Sequence, residues 1–520
     1  MQMNDLIHAL SQPESYAHRP EHVEVIKTHS AAVFLAGPRV YKIKKPVNFG
    51  FLDYSTLARR RHFCHEEVRL NRRLAPEVYL GVVPIVAVPG GVRVGGEGEA
   101  VEWAVEMIRL DDDDTLLSRL RRGAVDPALL GRLAVRLVAF HRDAAREPEP
   151  GKYAGFAVVS GNIRENFDQT RDHIGHTVSQ AVWEQVRARS EATLEAQRAR
   201  ITRRAEAGRG CETHGDLRLE HVYLRDGKLT VIDGIEFNER FRFADPVADV
   251  AFLVMDLCHR HRYGLGRALT VLWTRAADDV DGAALLPLYT SYRAVVRGKV
   301  AGFAVIGEGF SEDQRLRARQ AASAYWMLAL DALSLPREKP ALLLLGGLPG
   351  TGKSTVARML SADGHGCWIR TDAVRKSLAG IPLTESGADV GIYSEEWTQR
   401  TYDACLLQAR DALLDGGRAI VDATFSDDGL RQRFIGLARE LGVRVAFLEC
   451  QAPPEVVRQR LRARSGDVSD ADWSIYLRKR ASWAPTTEAT GPYRHALSTD
   501  GSLEETRARA TALLQTLALA

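Results

Sequence analysis

The strongest constraint on this chain is one short stretch, Gly347-Leu348-Pro349-Gly350-Thr351-Gly352-Lys353-Ser354. It follows the apolar run 341–345 and opens a helical pattern that continues through Thr355. A chain of phosphates carries several negative charges and needs many donors in a small concavity. Glycines let successive backbone N–H groups turn inward, and a helix N-terminus adds a positive dipole end. Lys353 can reach the β- and γ-phosphates, and the Ser354 hydroxyl can ligate Mg²⁺. Short apolar runs at 367–370, 419–421 and 443–450 alternate with helical patterns after this loop. That alternation predicts a parallel α/β sheet sandwiched by helices.

The rest of the chain must fold separately. At 520 residues it is too long for one core, and roughly 100–200 residues per domain suggests about three units. Ser334–Pro340 holds two prolines and no periodicity, and it reads as a linker. The expected domains are therefore 1–335 and 340–520. Lys and Arg total 70 against 67 Asp and Glu, so net charge gives no argument for a membrane or nucleic-acid surface. The six cysteines are scattered, with no CxxC pair, which fits a reducing, cytoplasmic setting and argues against zinc or disulfides. No secretory pattern opens the sequence, and no apolar run approaches the roughly 20 residues that span a bilayer.

Residues 20–110 read as a β-rich lobe. A hairpin is expected over 32–43 with Gly37-Pro38 at its turn, then a helix over 56–74 and strands over 82–88, 91–94 and 100–110. Residues 111–335 read as helical, except for a β-type island at 221–235. The Arg-rich segment 182–207 reads as a solvated helix, and Arg293 and Arg297 as a solvated helical face.

Further C-terminal residues carry chemistry. Arg370-Thr371-Asp372-Ala373-Val374-Arg375 follows the second apolar run. The segment resembles P-loop kinases of the polynucleotide-kinase, gluconate-kinase and chloramphenicol-phosphotransferase type. The resemblance implies that Asp372 contacts the acceptor hydroxyl and Arg375 holds the substrate or transition state. An acceptor alcohol loses its proton as it attacks phosphorus, and a carboxylate can orient it and take that proton. Asp422 ends the third apolar run, which resembles a Walker-B-like position where it would hold Mg²⁺ or its water shell. A helix N-cap is the alternative for both Asp372 and Asp422. The basic stretch Arg458–Arg464 and the polar loop after it resemble the lid of these kinases. Arg460 and Arg464, on one helical face, are its candidate phosphate ligands.

In the first domain, His214-Gly215-Asp216-Leu217-Arg218-Leu219-Glu220-His221 is followed by Val231-Ile232-Asp233-Gly234-Ile235-Glu236. The pair resembles the H-G-D-x-x-x-x-N and I-D motifs of aminoglycoside phosphotransferases, choline kinases and related small-molecule kinases. The resemblance implies a two-lobed protein-kinase-like fold with Asp216 facing the acceptor. His221 and Asp233 would stand at the metal, and Asp249 would tie down the catalytic loop. It also implies that Lys42 binds phosphate and pairs with Glu67, Glu66 being the competing partner. The strand 101–107 would lead to an adenine-reading hinge. His221 stands where the family has Asn. Since Mg²⁺ prefers oxygen, this implies one metal, a different ion such as Mn²⁺, or binding without catalysis; Glu236 offers a compensating carboxylate.

The fold class expected is thus α/β with α+β: a protein-kinase-like domain fused to a P-loop domain. The arrangement resembles bacterial proteins predicted to be bifunctional phosphotransferase/ATP-binding proteins. The implied cofactors are ATP and Mg²⁺. The implied partners are hydroxyl-bearing acceptors, with nucleic acid only as a kinase substrate. Three readings stand: two kinases, an N-terminal ligand-binding regulator of a P-loop kinase, or a P-loop ATPase switch.

Overall fold

The computed structural model describes residues 2–307, 310–383, 385, 391–463 and 471–520. Contacts divide the chain into two compact units, Met1–Asn162 with Ala196–Tyr289, and Ile163–Glu195 with Thr290–Ala520.

The first unit opens with six antiparallel strands: β1 (Val23–Lys27), β2 (Ala31–Ala36), β3 (Arg39–Lys44), β4 (Tyr79–Val88), β5 (Gly91–Val94) and β6 (Ala100–Ile108). Their order is β1-β2-β3-β6-β4-β5. The expected hairpin is β2–β3, turning at Gly37 with φ +61°. Side chains of a strand alternate between faces, so Tyr41 and Ile43 join a core with Leu6, Ile7 and Leu10 of the helix Met3–Leu10. Val40 lies on the other face, against Cys64 and Val68 of the helix Leu57–Asn71. Lys42 and Lys44 share Val40's face by the same alternation, which turns both ammonium groups toward that helix. Two short ladders follow, β7 (Cys211–Glu212) with β10 (Phe243–Ala244), and β8 (Val222–Arg225) with β9 (Lys228–Val231). The helix Val247–His259 packs behind them, with Val247, Val250, Ala251 and Leu253 fully buried.

The second unit is built on five parallel strands: β11 (Ala341–Gly346), β12 (Cys367–Arg370), β13 (Arg418–Asp422), β14 (Arg444–Gln451) and β15 (Arg494–Ser498), ordered β12-β13-β11-β14-β15. Central β11 is buried along its whole length, as a strand covered on both faces must be. The sequence did not signal β15. Its residues Arg-His-Ala-Leu-Ser form an edge strand with Leu497 its buried member, so no apolar run is needed.

The ends of these strands remote from the phosphate loop are clasped by helices from earlier in the chain. Ser179 Oγ donates to Leu414 O and Gln185 Nε2 to Asp415 O, each at 3.0 Å, just before β13. Asp331, near the end of the helix Glu312–Leu333, is buried against Arg444 at the start of β14, at 2.6 and 3.0 Å, and Lys339 at 3.2 Å. Burial pushes the Asp331 carboxyl up, but Arg444 and Lys339 outweigh it and hold the group below the usual carboxylate value.

Two expectations need correction. The helix Gln180–Glu206 is not simply solvated: Val182, Val186, Leu194 and Ile201 are buried on one stripe, and Arg204 is buried between Asp245 and Asp279. Its Arg-rich composition conceals apolar residues at helical spacing. Arg293 is also buried, its guanidinium 5.1 Å from the Tyr292 ring.

The buried Asp331 yields a stability prediction. Asp331→Ala removes the carboxylate that pairs with Arg444 and Lys339, and breaking a buried pair typically costs about 3–5 kcal/mol. Faster amide hydrogen exchange along β14, with exchange in β1–β6 unchanged, is the expected result.

Candidate active sites

In the second unit the phosphate-binding loop joins β11 to the helix Lys353–Ala362. Gly347, Gly350 and Gly352 have φ of +135°, +78° and +87°, which favour glycine. Space is restricted too. A Cβ on Gly347 would sit 2.5 Å from Cys450 O, and one on Gly350 would sit 2.9 Å from Val457 and 3.0 Å from Leu461. Val457 and Leu461 belong to the helix Pro454–Ala463, so the close approach at Gly350 brings this helix, with Arg460, onto the loop. Pro349 and Thr351 are buried, Leu348 is half-buried and Thr355 is exposed.

Lys353 Nζ donates to Leu348 O at 2.9 Å, across the loop. The Ser354 hydroxyl reaches the Asp422 carboxylate at the end of β13. Burial raises the Asp422 carboxyl above its ordinary value, while Lys353, the Ser354 hydrogen bond and Arg370 pull the other way. Trp368 Nε1 donates to Asp422 Oδ2 at 3.3 Å. The alternative of a helix N-cap holds for neither Asp372 nor Asp422. Arg370 is the N-cap of the helix Thr371–Leu378, which places Asp372 in its first turn, and Asp427 caps the helix that follows Asp422. Buried Arg375 donates to Ile392 O at 2.8 Å, with its guanidinium 5.2 Å from the Tyr393 ring. Arg460 Nη2 donates to Thr499 O at 2.6 Å, while its buried Nη1 has no hydrogen-bond partner among the described residues. That nitrogen lies 3.7 Å from where a Gly352 Cβ would stand. Arg464 and the polar loop expected after it lie outside the described residues.

These groups fit a nucleotide with a divalent ion. The loop offers backbone donors and a helix N-terminus, and Arg460 offers an unpaired donor beside it. Mg²⁺ keeps most of its coordination for phosphate and water and takes one or two protein ligands. Ser354 and Asp422 supply two oxygens of that kind.

In the first unit Lys42 Nζ donates to Asp233 Oδ1 at 2.8 Å and ion-pairs with Glu67 Oε1 at 2.9 Å. Burial pulls the Lys42 ammonium down, but Asp233 and Glu67 override it and hold it well above the ordinary lysine value. Lys42 in turn holds Asp233 well below the usual carboxylate range. Glu66 pairs with Arg69, at 2.9 Å, and not with Lys42. Lys44, which sequence reasoning missed, contacts Glu67 Oε2 at 2.8 Å and also Glu236 Oε1. Glu236, expected at the metal, is thus engaged by Lys44 and by the Tyr54 hydroxyl. The available signal was positional: Lys44 is two residues from Lys42 on one strand.

The catalytic-type loop is held by its backbone. Asp249 accepts from His214 N and Gly215 N at 2.8 and 2.9 Å and pairs with His141 Nε2 at 2.9 Å. These partners outweigh its burial and keep its carboxyl at about 2. Asp256 Oδ2 accepts from Leu219 N at 3.0 Å. Asp233 takes φ +66°, and its N–H donates to the Tyr79 hydroxyl at 3.1 Å. His221 Nε2 lies 3.7 Å from Asp233 Oδ2, so the structure brings His221 and Asp233 together. Asp216 lies half-buried on the loop, with Arg218 Nε 3.0 Å from its Oδ2. Asp233 and Lys42 give this unit a carboxylate for a divalent ion and an ammonium for phosphate.

Comparison with known proteins agrees with this geometry. Residues 53–288 match the model of the phosphotransferase enzyme family, and residues 342–481 match a model described as an AAA domain. The chain is therefore a kinase-like phosphotransferase domain followed by a P-loop domain. It belongs to the same family as Uncharacterized protein Rv2004c of Mycobacterium tuberculosis and Uncharacterized protein Mb2027c of Mycobacterium bovis. Each is 32% identical over 456 residues, covering 87% of this chain and 88% of theirs. Solved structures similar to parts of the chain include a gluconokinase from Sinorhizobium meliloti 1021 (19% identity, 34% of this chain and 94% of that one, TM-score 0.26). Another is a choline/ethanolamine kinase family protein from Mesorhizobium loti (12% identity, 63% and 98%, TM-score 0.37). Among the described residues no helix is long and apolar enough to cross a membrane.

The tight packing around Gly347 sets up a test of the loop. Gly347→Ala places a methyl group against Cys450 O in a backbone conformation that alanine rarely adopts. Calorimetric titration with a non-hydrolysable ATP analogue is expected to show loss of one nucleotide site per chain, with the other unchanged.

Proposed function

We propose that this protein is an ATP-dependent kinase with two active sites, each transferring the γ-phosphoryl group to a hydroxyl-bearing acceptor. What carries the reading is that each unit gathers the cation and the carboxylate which phosphoryl transfer requires. These are Lys353 with Ser354 and Asp422 in one unit, and Lys42 with Glu67 and Asp233 in the other. Catalysis of this transfer is mostly positioning and charge stabilisation, with little covalent work for the protein.

In the P-loop unit, Gly347–Ser354 and Arg460 cradle the phosphates of ATP. Arg464 is proposed to join them from the sequence pattern alone. Ser354 and Asp422 hold Mg²⁺, which draws charge off the β- and γ-phosphates when bound. Asp372 orients the acceptor hydroxyl and takes its proton. Arg375 positions the acceptor or balances transition-state charge. In the kinase-like unit, Lys42, fixed by Glu67, meets the phosphates, Asp233 holds the metal, and Asp216 faces the acceptor. Acceptors are small hydroxyl compounds, nucleotides or polynucleotide ends, and the setting is the cytoplasm.

The test uses the full chain, labelled ATP and a metabolite pool, comparing wild type with Lys353→Ala and Asp216→Ala. Each variant is expected to lose a different subset of phosphorylated products. Identical products from all three proteins would defeat the two-site reading. ATP consumption with no labelled product would favour an ATPase switch. Once an acceptor for the P-loop site is known, Asp372→Asn should slow transfer by about 10²–10⁴-fold, the usual weight of a general base, with ATP affinity retained. Collapse of ATP affinity would instead place Asp372 at the metal.

A further inference from the structure

Arg218 lies inside the catalytic-type loop of the first unit, and the chemistry above gives it no task. Its guanidinium is mostly buried, with 17% of the side chain exposed, and is forked over three partners. Nε donates to Asp216 Oδ2 at 3.0 Å, Nη1 reaches Glu220 Oε1, and Nη2 lies 2.9 Å from His221 Nε2. The other ring nitrogen, His221 Nδ1, is 2.8 Å from the Asp216 carbonyl oxygen. A carbonyl can only accept, so Nδ1 carries the proton and Nε2 accepts from Arg218. The one lone pair that His221 could offer a metal is therefore already taken by an arginine, and Nε2 stands 3.7 Å from Asp233 Oδ2.

Charge counting points the same way. Linked through these contacts are five carboxylates, Glu67, Asp216, Glu220, Asp233 and Glu236, and three cations, Lys42, Lys44 and Arg218. The next carboxylate, Asp256, is met separately by Arg260 at 3.6 Å. Over these contacts the carboxylates outnumber the cations, and Arg218 is the cation that stands with Asp216 and Glu220.

We propose that the Arg218 guanidinium stands in for a second divalent cation, so that the kinase-like site binds nucleotide with one metal ion and one built-in arginine. The inference rests on the reading of this unit as an ATP site. Asp233 alone then holds the ion. Arg218, fixed by Asp216 and His221, brings a permanent positive charge between the acceptor carboxylate and the metal carboxylate. A guanidinium cannot lose its proton under working conditions, and its planar fork suits phosphate oxygens. Its charge is present at any metal concentration.

The experiment counts ions without needing turnover. Full-length Lys353→Ala, which disables the P-loop site, is titrated with Mn²⁺ and a non-hydrolysable ATP analogue. Bound Mn²⁺ is read from the loss of the free-ion electron paramagnetic resonance signal, and bound nucleotide from calorimetry. One Mn²⁺ per bound nucleotide is expected. Two would overturn the proposal while leaving the ATP site standing. No nucleotide bound at all would defeat the underlying reading as well. Adding Arg218→Gln with His221→Asn should raise the count to two. Arg218→Gln alone should weaken nucleotide binding at fixed Mn²⁺ by roughly tenfold or more, the weight of a hydrogen bond to a charged group. Unchanged affinity would overturn the role. Arg218→Lys keeps the charge and should keep the count at one, and the count in the parent chain decides the matter even if a substitution disturbs folding.

Discussion

Glu67 is buried between two ammonium groups, and the kinase-like unit is organised around that fact. A carboxylate taken out of water costs several kcal/mol unless it is fully paired, and here Lys42 and Lys44 take one oxygen each. Because the two lysines leave β3 on the same face, the pairing fixes the helix Leu57–Asn71 to the sheet. Each lysine then reaches past the helix to the segment after β9, Lys42 to Asp233 and Lys44 to Glu236. One buried charge thereby fixes three elements with few other reasons to meet at one point. The energetic return on such a network is modest, but removing any member strands a charge, so the arrangement is all or nothing.

The P-loop unit solves the same problem differently. Its phosphate site is made chiefly from backbone, held by glycines pressed against Cys450, Val457 and Leu461. Side chains enter at the margins, Lys353 and Arg460 as cations and Ser354 with Asp422 as oxygens. A site of this kind tolerates little change in shape. A site built from ion pairs tolerates little change in charge. The two halves of the chain therefore have different vulnerabilities.

Much of this was legible in the sequence because it is local. The loop Gly347–Ser354, the hairpin at Gly37 and the alternation of strands after residue 340 are written in contiguous residues with fixed spacing. The pairing of Lys42 with Glu67 could be expected only through resemblance, and Lys44 offered no more than its position two residues from Lys42, since nothing in the order of residues says that two lysines share one glutamate. The burial of Arg204 and Arg293 escaped for a related reason: a charged residue reads as solvated until its partner, distant in sequence, is in view. The strand β15 was missed because an edge strand needs no apolar run. Arg218 was in view as part of the motif, but its partners are three side chains whose directions only the folded loop defines.

The clasp over the ends of β13 and β14 has a consequence for how the chain is made. Residues 163–195 and 290–335 belong to the same compact unit as the P-loop sheet, yet they leave the ribosome long before Arg418 and Arg444 exist. At roughly 5–20 residues per second, the 219 positions between Glu195 and Leu414 take on the order of ten seconds or more to appear. Through that interval Ser179 and Gln185 lack the Leu414 and Asp415 carbonyls that later accept from them. The nascent chain must carry an unfinished unit while Ala196–Tyr289, which belongs with Met1–Asn162, is made in between. Synthesis order and folding order are thus interleaved in this protein.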